Sequence, residues 1–176
     1  MTDAHVKEKL TLFETPNPRF AARVHDSFQR QAFMGLLGAE LADVAAGQVD
    51  IRLPYRVELG QQHGFFHGGV IGSLADNACG YAGFTLAPVD SSILTVEYKV
   101  NFMAPAAGDV LIARGRVIRP GRSLVVARAD VVAAAGGVEK PVATALVTLM
   151  LMPGMADEPH RPQPMPQPMP QPMDGR

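Results

Sequence analysis

Residues 68–86, GGVIGSLADNACGYAGFTL, constrain the fold more than any other part of the chain. They are mostly small and apolar, and Asp76 and Asn77 are their only strongly polar side chains. A helix on a protein surface needs a charged face, which this stretch lacks, so we expect a buried helix covered by other elements. Each glycine costs about 1 kcal/mol of helix stability relative to alanine, so tertiary packing must stabilise this helix. The small side chains would allow its backbone to approach a sheet closely.

The segments around this helix show the two-residue alternation of β-strands. The clearest case is residues 48–57, in which apolar side chains alternate with charged ones. Pro120 and Gly121 at the centre of a later connection favour a type II turn, so we predict a hairpin there. The predicted strands are residues 39–45, 48–57, 92–102, 109–118, 124–134 and 141–152.

One more helix is predicted near the N-terminus. Residues 17–35 repeat apolar side chains at helical spacing, with Asn17 and Pro18 as the N-cap and first helical residue and Gly35 near the end. The order is then helix, two strands, buried helix, and three or four mostly antiparallel strands. This order predicts an α+β fold in which an antiparallel sheet wraps around the central helix.

Composition sets the domain boundaries and excludes several classes of protein. We expect a flexible lead-in over 1–14, one domain over 15–152, and a disordered Pro/Gln/Met-rich tail over 153–176. Lys and Arg number 16 and Asp and Glu 17, a balance that does not favour binding to nucleic acid or to an acidic membrane. The single cysteine excludes an internal disulfide framework. Without a secretory signal or a membrane-spanning apolar run, a cytoplasmic location is expected.

The segment that precedes the central helix carries the candidate chemistry. Residues 61–69, QQHGFFHGG, form a glycine-rich entry to the helix start. Free backbone N–H groups there, together with the positive end of the helix dipole, suit a developing negative charge. Nine residues after His67, Asp76 places a carboxylate in an otherwise apolar helix, which is costly unless the group is bonded or used. Together these features point to acyl transfer with water as the acceptor.

At these residues the sequence resembles the PaaI-like hotdog-fold acyl-CoA thioesterases. The signature of that family is a side-chain amide, then G-x-x-H-G-G, then Asp or Glu in the central helix. Here these elements are Gln61, residues 64–69, and Asp76. The strand 94–102 and the short x-x-P segment after it also match, and the resemblance covers roughly residues 35–152. Relatives often carry Asn where Gln61 stands, so this chain keeps the amide on a longer arm.

The resemblance implies a role for each site residue. Asp76 would activate or orient the attacking water, or attack directly and form an anhydride, and Thr95 would place a hydroxyl beside that water. The Gly68 backbone N–H and the Gln61 amide would polarise the thioester carbonyl. His67 would shape the loop and lie near the departing sulfur. No cofactor and no metal are implied.

The resemblance also implies acyl-CoA as the substrate and self-association as a homodimer or homotetramer. Gly69 would contribute to substrate binding beside the helix start. Relatives bind the nucleotide of coenzyme A near the predicted hairpin, so Arg122 would contact phosphate, assisted by the backbones of Gly121 and Ser123.

Other interpretations remain open from the sequence. Asp76 could be a structural buried acid, Thr95 an ordinary β-former, and Cys79 is expected to be a small core residue rather than a nucleophile. A hotdog-fold hydratase would pair a catalytic His with an acid at a different spacing. A non-catalytic acyl-CoA-binding or sensing module is the second candidate function.

Helix geometry independently favours a site shared between two chains. Asp76 lies eight residues beyond Gly68, which is about 12 Å along a helix axis. The oxyanion donor and the base must both lie close to one carbonyl and one water. One straight helix can hardly serve both, whereas two antiparallel helices about a two-fold axis would bring Gly68 of one chain beside Asp76 of its partner.

Overall fold

The computed structural model describes residues 13–155 and residue 157. The elements are α1 Phe20–Arg30, α2 Ala32–Leu37, β1 Glu40–Ala45, β2 Gln48–Pro54, α3 Gly68–Phe84, β3 Ser91–Phe102, β4 Val110–Pro120, β5 Leu124–Ala135 and β6 Val138–Pro153. One antiparallel sheet has the strand order β1-β2-β4-β5-β6-β3, and α3 packs against it. The expected α+β hotdog fold, with a sheet around a central helix, is confirmed. In this part of the chain, no helix is long and apolar enough to cross a membrane.

The small residues of α3 let its backbone lie directly on the sheet. A Cβ built on Gly115 of β4 would stand 2.2 Å from the Ala78 carbonyl oxygen of α3. A Cβ on Gly83 would stand 2.7 Å from Leu149 and 2.8 Å from Ile93. Glycine at 115 therefore permits a backbone contact that any other residue would prevent, whereas a larger residue at 83 would require the ends of the Leu149 and Ile93 side chains to move.

Strand β3 is an edge strand with an irregular register. Among the described strands it pairs only with β6, and the pairing shifts between Thr95 and Glu97, so that Val96 is an extra residue. Ile93 and Thr95 face α3 before the shift, whereas Tyr98 and Phe102 approach α3 after it. The uniform alternation predicted for residues 92–102 is therefore wrong. Because of a β-bulge at Val96, odd-numbered residues face the helix before it and even-numbered residues face the helix after it.

The predicted hairpin between β4 and β5 is confirmed, but its turn type is wrong. Val117, Arg119 and Pro120 of β4 pair with Ala127, Val126 and Val125 of β5. A type II turn requires a positive φ at Gly121, and Gly121 is not among the residues with positive φ. Glycine is needed there for space instead, because a Cβ would stand 2.3 Å from the Leu124 carbonyl oxygen.

Two other predicted elements differ in extent. The helix predicted over 17–35 is broken at Gln31, whose extended backbone (φ −79°, ψ 95°) separates α1 from α2. Strand β2 ends at Pro54 rather than Val57, which instead begins a short 3-10 turn. The expectations for residues 1–12 and for most of the tail lie outside the described residues.

Candidate active site

The start of α3 leaves one backbone N–H group available. His67 is the N-cap residue, and its Nδ1 accepts a hydrogen bond from the Gly69 N–H at 2.9 Å. The His67 N–H donates to the Leu59 carbonyl oxygen at 2.9 Å, which fixes the approach to the helix. Within residues 13–155 and 157, the Gly68 N–H has no hydrogen-bond acceptor. Gly68 is therefore the donor at this helix start that a ligand can use, while that of Gly69 is occupied by the cap.

Gln61 is held beside this free donor. Its backbone N–H donates to the Phe65 carbonyl oxygen at 2.8 Å, and its side-chain Oε1 accepts from the His63 N–H at 2.6 Å. Because the oxygen of the side-chain amide is engaged, its Nε2 group is the part left to donate. Gln61 and Gly68 line the same cavity of about 430 Å³, together with Phe102 and Met103.

Asp76 faces a second cavity, of about 270 Å³, beside β3. The Thr95 hydroxyl donates to Asp76 Oδ1 at 2.8 Å. Burial raises the pKa of Asp76 above its ordinary value, and the Thr95 hydrogen bond opposes part of that rise. Asn77 does not cap Asp76, since its amide donates to the Ser73 carbonyl oxygen. A half-buried carboxylate with one hydroxyl partner is suited to accept a proton from a water molecule.

The structure thus brings the predicted site residues together in two pairs. Gln61 and Gly68 open on one cavity, and Asp76 and Thr95 on the other, and the two cavities share no described residue. Within one chain, the candidate oxyanion donors and the candidate base are therefore separate.

The predicted phosphate-binding residues lie at the β4–β5 hairpin, outside both cavities. Arg122 and Ser123 are exposed, but the Gly121 N–H donates to the Leu124 carbonyl oxygen at 2.9 Å. Two nearby arginines are already paired, because Arg114 makes a bidentate contact with Glu139 and Arg116 pairs with Asp50. Arg119 at the end of β4 and Arg122 in the turn are both exposed, and they are the candidate cations at the hairpin tip.

Sequence reasoning missed the far wall of the Asp76 cavity. Ser27, Gln31 and Tyr81 line it, and the first two come from the N-terminal segment that lies before the resemblance begins. The available signal was the spacing of the cavity-lining residues of α3, because Asp76 lies one turn before Gly80, and Asn77 lies one turn before Tyr81. Cys79 points away from this cavity into the core, where it is fully buried and burial raises the pKa of its thiol.

Comparison with known proteins identifies the family. The thioesterase superfamily profile matches residues 63–140. A crystallised thioesterase family protein from Silicibacter pomeroyi is 44% identical, with a TM-score of 0.76, over 77% of this chain and 99% of that one. The chain belongs to the thioesterase superfamily. The expected resemblance to PaaI-like hotdog thioesterases is confirmed.

Two further matches extend this assignment of the chain to the thioesterase superfamily. The PaaI protein of E. coli, from the phenylacetic acid degradation operon, is 21% identical with a TM-score of 0.70 over 81% of this chain and 99% of that one, a likeness that speaks for the fold. A curated protein of Halobacterium salinarum, named provisionally as an esterase, is 32% identical over 64% of this chain and 77% of its own length. Together the matches support a hydrolase of esters or thioesters.

Proposed function

We propose that this protein hydrolyses acyl-CoA thioesters to the free acid and CoA. The observation that carries the proposal is the Asp76 carboxylate, bonded to the Thr95 hydroxyl and facing a cavity large enough for an acyl group. Asp76 takes a proton from water as the water oxygen bonds to the carbonyl carbon. The tetrahedral intermediate then collapses, the C–S bond breaks, and the CoA thiolate leaves and is protonated. A thiolate leaves readily, so one base and two hydrogen-bond donors suffice.

The charge on the carbonyl oxygen would be stabilised by Gly68 and Gln61. The Gly68 N–H is unengaged among the described residues and lies at the positive end of α3. The Gln61 Nε2 lines the same cavity, with its own carbonyl held by His63. Such preorganised donors act most strongly on a charge that develops during the reaction.

The active site would be completed by a second copy of the chain. Asp76 and Gly68 open on separate cavities of one chain, although one reaction needs both groups at the same carbonyl. The unpaired edge of β3 exposes large apolar side chains near both cavities, with Val96 54%, Tyr98 49% and Phe102 58% exposed. Pairing of this edge with its twin would cover these side chains and the open backbone groups. A homodimer with two shared sites follows, and pairs of dimers would give a tetramer.

Coenzyme A would be held in part by the β4–β5 hairpin. Arg122 is exposed at the tip, and its guanidinium can make paired hydrogen bonds to a phosphate group. Such a contact is equally available in the ground state and the transition state, so it would affect KM rather than kcat.

The test of the proposed function is release of free thiol from a panel of acyl-CoA thioesters. The panel varies acyl length and aromaticity, and Asp76→Asn is the matched control for contaminating activity. Turnover by the wild type that the variant lacks would support hydrolysis by this site. Tight binding of the same thioesters without any thiol release would instead favour a non-catalytic acyl-CoA-binding module.

A further inference from the structure

The cavity that holds Asp76 ends in a group of neutral hydrogen-bonding side chains. Tyr81 Oη lies 3.3 Å from Ser27 Oγ and accepts a hydrogen bond from Gln31 Nε2 at the same distance. All three residues line the cavity with Asp76 and Thr95. We call Ser27, Gln31 and Tyr81 the polar wall.

The polar wall depends on the break between α1 and α2. Gln31 is the residue with extended backbone at that break, whereas Ser27 lies one turn earlier on α1. Tyr81 is only 6% exposed and is held by edge-on ring contacts with Phe28 and Phe84. The Tyr81 ring is therefore fixed by packing, which leaves its hydroxyl at a defined place in the cavity.

The hydrogen bonds inside the polar wall are long. A distance of 3.3 Å exceeds the 2.7–2.8 Å that is usual between two hydroxyl oxygens. A ligand hydroxyl at this end of the cavity could replace these contacts with shorter ones. A purely apolar ligand end would instead leave the buried Tyr81 hydroxyl poorly satisfied and would exclude water from the partly buried side chains of Ser27 and Gln31, which is the unfavourable outcome.

The distance of the polar wall from Asp76 and the charged residues of the cavity restrict the ligand further. Tyr81 lies five residues beyond Asp76, or about 7.5 Å along the helix axis, a span that a short chain or a single ring can bridge. Among the described residues, no Lys, Arg or His lines this cavity, whereas Asp76 and Asp157 do. Arg30, which does not line the cavity, is already bonded to Asp157 Oδ2 at 2.6 Å. A terminal carboxylate would therefore meet the Asp76 charge and would have to compete with Asp157 for this cation.

We propose that the polar wall selects acyl groups that carry a neutral hydrogen-bonding substituent, such as a hydroxyl, at the end remote from the thioester. This inference rests on the proposed function, since it takes Asp76 to mark the thioester end of the cavity. Ser27, Gln31 and Tyr81 are then specificity-determining residues.

The test compares hexanoyl-CoA, 6-hydroxyhexanoyl-CoA and adipoyl-CoA, which share chain length and differ at the far end. We expect kcat/KM of the wild type to be at least about tenfold higher for the hydroxyl substrate than for hexanoyl-CoA, and lowest for adipoyl-CoA. The hydroxyl-to-plain ratio is kcat/KM for 6-hydroxyhexanoyl-CoA divided by kcat/KM for hexanoyl-CoA. Tyr81→Phe removes only the hydroxyl and should bring this ratio to within about twofold of one. Ser27→Ala should lower the ratio by a smaller factor.

Tyr55→Phe is the matched control, since it deletes the same atom from a tyrosine that does not line this cavity. Its hydroxyl-to-plain ratio should equal that of the wild type. The inference is overturned if the wild type does not distinguish the two substrates, if it prefers adipoyl-CoA, or if both tyrosine variants change the ratio equally.

Binding of the corresponding non-hydrolysable CoA thioethers, measured by calorimetry, separates this inference from the proposed function. Absence of thiol release would contradict hydrolysis, yet a hydroxyl-bearing thioether that binds about tenfold more tightly than the plain one would still support the polar wall. Equal affinities for the two thioethers would overturn the inference that the polar wall selects a hydroxyl group, even if thioesters are hydrolysed.

Discussion

The ionised carboxylate of Asp76 is required for the proposed chemistry, but it lowers the stability of the folded protein. Asp76→Asn should lower kcat by about a hundredfold or more, because the amide cannot take the proton from water. The raised pKa of Asp76 means that the folded protein binds this proton more tightly than the unfolded chain does. Stability associated with Asp76 is therefore lost as pH rises through the raised pKa, and at neutral pH the ionised group is a cost.

The variant should consequently melt at or above the wild-type Tm at neutral pH, with the difference shrinking in acid. Steady-state kinetics and thermal melts at two pH values measure both effects. Unchanged kcat in a protein with a native circular-dichroism spectrum would contradict the assignment of Asp76 as the base.

Thr95 lowers the pKa of Asp76 through a single hydrogen bond. That bond favours the ionised carboxylate and so lowers its pKa against the effect of burial. Thr95→Val keeps the shape of the side chain and removes the bond, so the pKa of Asp76 should rise further. Because the base must be ionised, the acid limb of the profile of kcat/KM against pH should move to higher pH. A lower activity with an unmoved acid limb would mean that Thr95 acts on the water or the substrate instead.

Arg122 is expected to act on binding alone. Arg122→Ala should raise KM for CoA thioesters with little change in kcat, while short thioesters without the nucleotide should be unaffected. Equal effects on both substrate types would make the arginine structural.

At the scale of elements, the close contact between α3 and β4 limits the size of the side chain that the strand can carry where it meets the helix. Gly115→Ala would place a methyl group 2.2 Å from a backbone oxygen of α3, so helix and strand would have to separate. We expect a loss of about 2 kcal/mol or more in the free energy of unfolding. Gly35→Ala is the control, since a Cβ there meets nothing within 4 Å and should stabilise α2 by about 0.5–1 kcal/mol. Chemical denaturation measures both, and equal effects would contradict the close contact.

The elements also show what a sequence pattern can and cannot predict. The composition of 68–86, in which Asp76 is the single charged residue, predicted a buried helix because this stretch has no face suited to water, and α3 spans Gly68–Phe84. The bulge at Val96 was not predictable, since residues 92–102 alternate without interruption and only pairing with β6 reveals the extra residue. The break at Gln31 was missed for a related reason, because the apolar spacing continues across it.

The same limit applies to the candidate site. Asp76 was noticeable as a lone carboxylate in an apolar helix, and the resemblance supplied Gly68, Gln61 and Thr95. That His67 occupies the N–H of Gly69 and leaves that of Gly68 depends on side-chain direction, which spacing does not contain.

The whole molecule is expected to work as a dimer, and mixing of two inactive variants tests this. Gln61→Ala and Asp76→Asn should each be nearly inactive alone. Refolded together one to one, half of the dimers would be mixed and would carry one intact site, restoring about a quarter of wild-type activity. Wild type taken through the same refolding gives the reference. Activity equal to the average of the two variants would show that each chain builds its own site.

The extra residue in β3 also determines where this strand can change in length. Val96 sits between a first half directed at Asp76 and a second half directed at the start of α3, and it has no partner of its own on β6. Its removal would leave Thr95 and Tyr98 on the same side of a regular strand. Loss of Lys99 or Val100 would instead put the remainder out of phase, so that Asn101 would turn toward the helix and Phe102 away from it. A deletion scan of this strand should therefore find that loss of Val96 or of Glu97 is tolerated, whereas loss of Lys99 or Val100 is not.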